Sequence, residues 1–147
     1  MKAVGLAVLS ALCLAGTVAL ADEAATHYEM GLQWKRQGKI PEAIGEVEQA
    51  IKLRSDYAQA YFTLGNLWRQ QGQYAKAVTA FERAVKLQPK DATTHSNLGA
   101  AYARLGRMDD GIRAFEEAIR LQPDHYEALL SVAVAYRQKG EFNKAVG

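Results

Sequence analysis

From residue 58 onward apolar side chains return at three- and four-residue steps, in two successive runs separated by a polar break. Ala60, Tyr61, Leu64, Leu67 and Trp68 share one face of a helix predicted over 58–71. After Gln70-Gln71-Gly72-Gln73 the period resumes with Tyr74, Ala77, Val78, Phe81, Ala84, Val85 and Leu87. Gly72 can take the left-handed conformation that ends a helix. Pro89 lacks an amide hydrogen and disfavours helical geometry in the residue before it, so the second helix stops there. The pattern predicts an antiparallel helical hairpin.

The same pattern recurs along the chain. An offset of 34 residues superposes Gly31, Gly65 and Gly99; Trp34, Trp68, Tyr102 and Tyr136; Gly38, Gly72, Gly106 and Gly140; and Ala50, Ala84 and Ala118, with no gap. Repeats therefore run 24–57, 58–91 and 92–125, followed by a partial fourth over 126–147. Gly65 and Gly99 are expected where the two helices of a hairpin approach closely. Ala84 and Ala118 are expected where the next hairpin leans on the second helix, the small residues making room for Trp68, Phe81 and Phe115. No such hairpin can bury its apolar face alone, so neighbours share stability.

The first twenty-one residues break the pattern. Lys2 gives a positive start, Ala3 to Leu20 carry no charge, and Ala19-Leu20-Ala21 places small residues at the two cleavage-defining positions. The segment reads as a cleavable export signal over 1–21 with Asp22 as the mature N-terminus. An uncleaved membrane anchor is a rival reading, but much of the segment is Ala, Gly, Ser and Thr. A lipid attached at Cys13 is a third, which Leu12 disfavours by standing where a small residue is wanted. Cys13 is the one cysteine of the chain. The mature protein would then hold no disulfide, which suits an exported chain stabilised by packing alone and a bacterial periplasm as its location.

A length of 147 residues, 49% of them hydrophobic, leaves room for one architecture. The formal charge of +2, with acidic and basic residues interspersed, offers no basic stripe for a nucleic acid. A membrane would be met only through the first segment, if uncleaved.

The repeat resembles the tetratricopeptide family, and the resemblance covers nearly everything after residue 21. The second repeat carries Tyr61, Leu64, Gly65, Trp68, Gly72, Tyr74, Ala77, Phe81, Ala84 and Pro89 at the signature places; the third carries His95, Leu98, Gly99, Tyr102, Gly106, Met108, Gly111, Phe115, Ala118 and Pro123. Ser55, Val47, Gly111 and Ala133 depart from it. The resemblance implies an all-α superhelix, a solenoid of three full hairpins and a partial fourth, whose concave surface is lined by the first helix of each repeat.

Carried over by register, the implied lining includes Tyr28, Leu32, Lys35 and Arg36, then Phe62, Thr63, Asn66 and Arg69, then Ser96, Asn97, Ala100 and Arg104, with Glu127, Leu130, Ser131, Val134 and Arg137 from the fourth repeat. Tyr28, Leu32 and Phe62 are expected as apolar anchors that the hairpins do not need for their own cores. Lys35, Arg36, Arg69, Arg104 and Arg137 are expected as a cationic rim, suited to a protein or peptide segment with apolar and acidic residues. A plainer reading of the same cations is that they complement helix dipoles and keep the surface soluble. Asn66 and Asn97 match the two asparagines of the clamp with which some family members hold a terminal carboxylate. Phe62, Glu127 and Ser131 occupy its basic places, so the resemblance does not extend to that clamp.

No residue set suggests catalysis, and no cofactor or metal site is expected. His27 and His95 share one repeat position where an aromatic is usual, and His125 stands at a repeat boundary suited to a turn or cap. Glu46, Glu48, Glu116 and Glu117 read as solvated faces with nearby Lys or Arg partners. The expected function is a non-catalytic scaffold or adaptor of the cell envelope. Alternatives are a regulatory part of a longer enzyme or secretion component, since Glu141 to Gly147 begins a second helix and stops, and a self-associating scaffold.

Overall fold

The computed structural model describes residues 4–141 and 144, with side chains from residue 19 onward. Among the described residues the fold is all-α, with helices α1 (Val4–Arg36), α2 (Ile40–Leu53), α3 (Ala58–Gln70), α4 (Tyr74–Leu87), α5 (Ala92–Arg104), α6 (Met108–Leu121) and α7 (Tyr126–Gln138). The expected export signal falls largely on positions whose side chains lie outside this description. There the helical backbone of 4–21 runs into the first repeat without a break. The second helix of the fourth repeat also falls mostly outside the described residues.

Four first helices end in the same way. Gly38, Gly72, Gly106 and Gly140 have φ of 76°, 74°, 78° and 78°, a region closed to most side chains. The amide beyond each glycine reaches back five residues, Gln73 N to Trp68 O at 2.9 Å and Arg107 N to Tyr102 O at 3.0 Å, which satisfies carbonyls the helix end would leave bare. The second helices close on Ala50, Ala84 and Ala118 carbonyls, with Pro89 and Pro123 just beyond. Asp91 caps α5 by accepting from the amides of Thr93 and Thr94.

The chain divides into two compact units, residues 1–60 and 61–147. In the first, α1 and α2 form a hairpin that approaches closely at Gly31, where a Cβ would lie 2.7 Å from Val47 Cγ2. Valine at a place where the family prefers an aromatic is thus matched to this approach. Tyr28 is only 7% exposed, and its ring stands 5.0 Å from that of Tyr57. It belongs to the core, contrary to the expectation of a free anchor: the loop after α2 supplies an aromatic partner that helical period alone cannot reveal. The Arg54 guanidinium carbon stands 3.3 Å from the centre of the Tyr57 ring, over its face.

In the second unit Phe81 of α4 is fully buried among Ala77, Val78, Leu98, Ala101 and Ala114, contributed by α4, α5 and α6. A Cβ on Gly65 would come within 2.6 Å of its ring, so glycine there is what lets α3 approach α4. In the third repeat Gly99 faces both the Phe115 ring and the carbonyl of Gly111. The departure of Gly111 from alanine removes bulk at this backbone approach. Ala118 packs with Ala92 of its own hairpin and Ala128 of the next, as its small size predicts.

The aromatic residues that recur at 34-residue spacing are not fully core, although an aromatic stripe at helical register is expected to be. Trp34, Trp68, Tyr102 and Tyr136 are half-buried, and each is covered by a cation: Lys39 at 4.6 Å, Lys76 at 4.1 Å, Arg107 at 4.5 Å and Lys144 at 5.5 Å. Two of these aromatics also tie hairpins together, the Tyr102 hydroxyl donating to Glu82 and the Tyr136 hydroxyl to Glu116.

Those hydrogen bonds make stability sensitive to alkali. Burial first, then the bond to Glu82 and its charge, push the Tyr102 hydroxyl up to about 12; for Tyr136 the bond to Glu116 leads, with the same result of about 12. A folded-state value raised above 10.0 gives stability that is intact below pH 10.0 and lost as pH rises toward about 12, because the unfolded chain gives up those protons first. Urea unfolding across that window should show stability falling in the natural protein. The fall should be shallower with Tyr102→Phe and Tyr136→Phe combined; equal slopes would contradict the assignment.

Candidate functional site

The second unit contains a groove between α5 and α7. One half, about 420 Å³, is lined by Ala100 and Arg104 of α5, Met108 of α6 and Leu130, Val134 and Gln138 of α7. The other, about 320 Å³, is lined by Arg69 of α3, Ser96 and Asn97 of α5 and Tyr126 and Glu127 of α7. Ala100, Leu130 and Ser131 line both, which makes them halves of one groove.

Helical period puts these residues together. On α7, positions 127, 130, 131, 134 and 138 recur at three- and four-residue steps on one face. Ala100 and Ala103 on α5 are small enough to leave the space open. His125 orients the start of α7, its Nδ1 accepting from the amide of Ala128 at 3.3 Å, as a boundary cap should. Leu130 is 54% exposed and Tyr126 73%, so the groove offers apolar surface to solvent.

The residues expected to line a groove divide accordingly. Arg69, Asn97 and Arg104 line this one, as do Ser96, Ala100, Glu127, Leu130, Ser131 and Val134, which register also assigned to the lining. Arg69 donates to Asn66 Oδ1 at 3.2 Å, while Asn66 Nδ2 donates to the Phe62 carbonyl at 3.1 Å, a relay within α3. Asn97 Nδ2 is similarly held by the Thr93 carbonyl at 3.1 Å. The Arg104 guanidinium lies 5.8 Å from the Tyr74 ring. Phe62 is half-buried with its ring 6.0 Å from Phe81, supporting the core and not standing free as an anchor. Thr63 is buried, and Ser96 is buried although it borders the groove. Arg137 is exposed in the last turn of α7 and does not line the groove. In the first unit, Leu32 is half-buried, Lys35 and Arg36 are exposed, and Arg36 Nε donates to the Leu32 carbonyl at 3.3 Å.

Tyr126 escaped the sequence reading, yet a signal was present. Its place in the earlier repeats holds Ala24, Ala58 and Ala92, all buried, so a large aromatic there is a departure in size. Met108 and Gln138 had no comparable signal.

The titratable groups have structural partners. His27 Nδ1 and Glu46 Oε2 are 2.6 Å apart, bridging α1 and α2, so Glu46 pairs with a histidine and not with the lysine or arginine expected. His95 Nε2 lies 2.9 Å from the Pro89 carbonyl. Glu117 accepts from Arg120 at 2.8 Å and 2.6 Å, and that bond holds its carboxyl below the usual range. Neither half of the groove is lined by a histidine. Among the described residues no group of three His, Cys, Asp or Glu could hold a metal ion.

Two family models match the chain: one described as TPR repeat over residues 65–106, the other as Tetratricopeptide repeat over 96–147. Among solved structures, one of MamA is 28% identical with a TM-score of 0.81, covering 84% of this chain and 72% of that one. MamA 41-end from Desulfovibrio magneticus RS-1 is 24% identical with a TM-score of 0.79, covering 84% and 70%. The first TPR of Spaghetti (RPAP3), bound to the HSP90 peptide SRMEEVD, is 20% identical with a TM-score of 0.79, covering 82% and 95%. At 20 to 24% identity these last two show the fold alone. No curated protein matches the chain.

Proposed function

We propose that the chain is a non-catalytic adaptor of the cell envelope that holds a segment of another protein in the α5–α7 groove; its matches to tetratricopeptide repeat models and its fold, one typical of protein–protein interaction, support this reading. The observation that carries this reading is apolar surface beside an unburied guanidinium. Leu130, Val134 and Met108 can receive an apolar side chain, and Arg104 borders the same half of the groove. Arginine offers a planar fork of donors that suits a carboxylate. The segment therefore combines an apolar side chain with an acidic group. The peptide held by the RPAP3 neighbour, SRMEEVD, has that composition. The groove differs from a terminal-carboxylate clamp in having Glu127 and Ser131 at two of the basic places.

Selection of displayed peptides on the immobilised protein should enrich sequences with an apolar residue near an acidic one. Arg104→Glu should weaken those peptides roughly tenfold or more, because it opposes like charges across a contact. The helical circular dichroism should be retained, Arg104 being exposed. Enrichment of basic peptides, or affinity indifferent to the charge reversal, would contradict the reading.

The envelope assignment rests on residues 1–21 acting as an export signal. In a bacterial host with a periplasm, the exported protein should begin at Asp22 by N-terminal sequencing. A chain retained in the cytoplasm with its first residues intact would remove this part of the proposal.

A further inference from the structure

We propose that Glu127 gives the groove a direction: it admits a segment whose acidic group lies at the Arg104 half and whose other end is neutral or basic. This inference rests on the groove reading above and adds the selectivity of that site. The two halves differ in charge. No carboxylate lines the half that holds Arg104, whereas Arg69 and Glu127 line the other together.

Arg69 is already engaged. Its guanidinium donates to Asn66, which is itself bonded to the Phe62 carbonyl, so the relay draws the cation along α3. Glu127 is exposed, and among the described residues it makes no ion pair or hydrogen bond through its side chain. It lies in the first turn of α7, where the partial positive charge of the helix end favours the ionised carboxylate. Tyr126 and Leu130 beside it are largely exposed apolar groups that an incoming segment would cover.

A ligand carboxylate entering this half would meet the Glu127 carboxylate as solvent is displaced. An amide or ammonium group would instead find an acceptor. Discrimination then comes from repulsion of the wrong ligand as much as from attraction of the right one. A groove shaped by Arg69 and Arg104 alone would favour two acidic groups bracketing the apolar residue. Glu127 turns that preference toward one acidic group, with an opposite or uncharged group at the far end.

The experiment compares three fluorescent peptides with a central leucine and an aspartate on one side. The other side carries a lysine, a glutamine or a second aspartate. On the natural protein the lysine peptide should bind tighter than the doubly acidic one by roughly fivefold, the upper end for an exposed charge pair. Glu127→Gln should bring that ratio close to one. Arg104→Glu should weaken all three. A ratio that Glu127→Gln leaves unchanged overturns the role of Glu127 while the groove reading stands, provided Arg104→Glu still weakens binding. Indifference of all three peptides to Arg104→Glu would sink the groove reading, and this inference with it.

Discussion

Phe81→Ala should lower the unfolding free energy of residues 61–147 by about 3–5 kcal/mol, the cost of deleting a buried aromatic ring and leaving a cavity. The loss is large because the ring is fully buried and its neighbours come from three helices: Ala77 and Val78 on α4, Leu98 and Ala101 on α5, Ala114 on α6. Helices joined by short turns and packed against one another cannot collapse fully into the void. Since domains have only about 5–15 kcal/mol in total, this variant should be partly unfolded under mild conditions. Urea unfolding followed by helical circular dichroism measures it. A loss below about 1 kcal/mol would mean that Phe81 is not the centre of the unit's core.

Gly99→Val should cost about 3 kcal/mol, the top of the usual range for adding bulk to a packed site. The first added carbon would stand 2.8 Å from the Phe115 ring and 3.0 Å from the Gly111 carbonyl. Phe115 is buried and the carbonyl is backbone, so neither can turn away cheaply. Valine is a better helix former than glycine by a few tenths of a kcal/mol, which offsets little of this. Gly45→Ala is the internal control. Gly45 is exposed on α2, with nothing within 4 Å of a built Cβ. There the same kind of change should stabilise by up to about 1 kcal/mol. Thermal unfolding of the two variants should therefore move in opposite directions; a loss at Gly45 or a gain at Gly99 would break the steric account.

Residue size and spacing carry most of the fold in the sequence. The glycines at 38, 72, 106 and 140 mark helix ends because each needs positive φ, a local requirement. The pairing of Gly65 with Phe81, and of Gly99 with Phe115, is legible because a missing side chain and a large ring recur sixteen residues apart. What the sequence did not yield depends on partners at irregular separations. Tyr28 is drawn into the core by Tyr57 in a loop, and the aromatic stripe is half-buried under cations five or eight residues further on. Within the groove, Arg69, Asn97 and Arg104 were legible from register. Ala100, Leu130 and Val134 were legible in the same way, whereas the anchoring role was assigned to Tyr28 and Phe62, because repeat position alone does not say how deeply a side chain is covered. Tyr28, Phe62 and Leu130 share one position, yet only Leu130 is exposed.

The most direct measurement is a backbone amide titration of isotope-labelled protein by nuclear magnetic resonance, using a selected peptide with apolar and acidic residues. Amides of Ala100, Leu130 and Ser131, common to both halves of the groove, should shift together with those of Arg104 and Glu127. Shifts confined to the exposed faces of α4 and α6, with these five unmoved, would contradict the account.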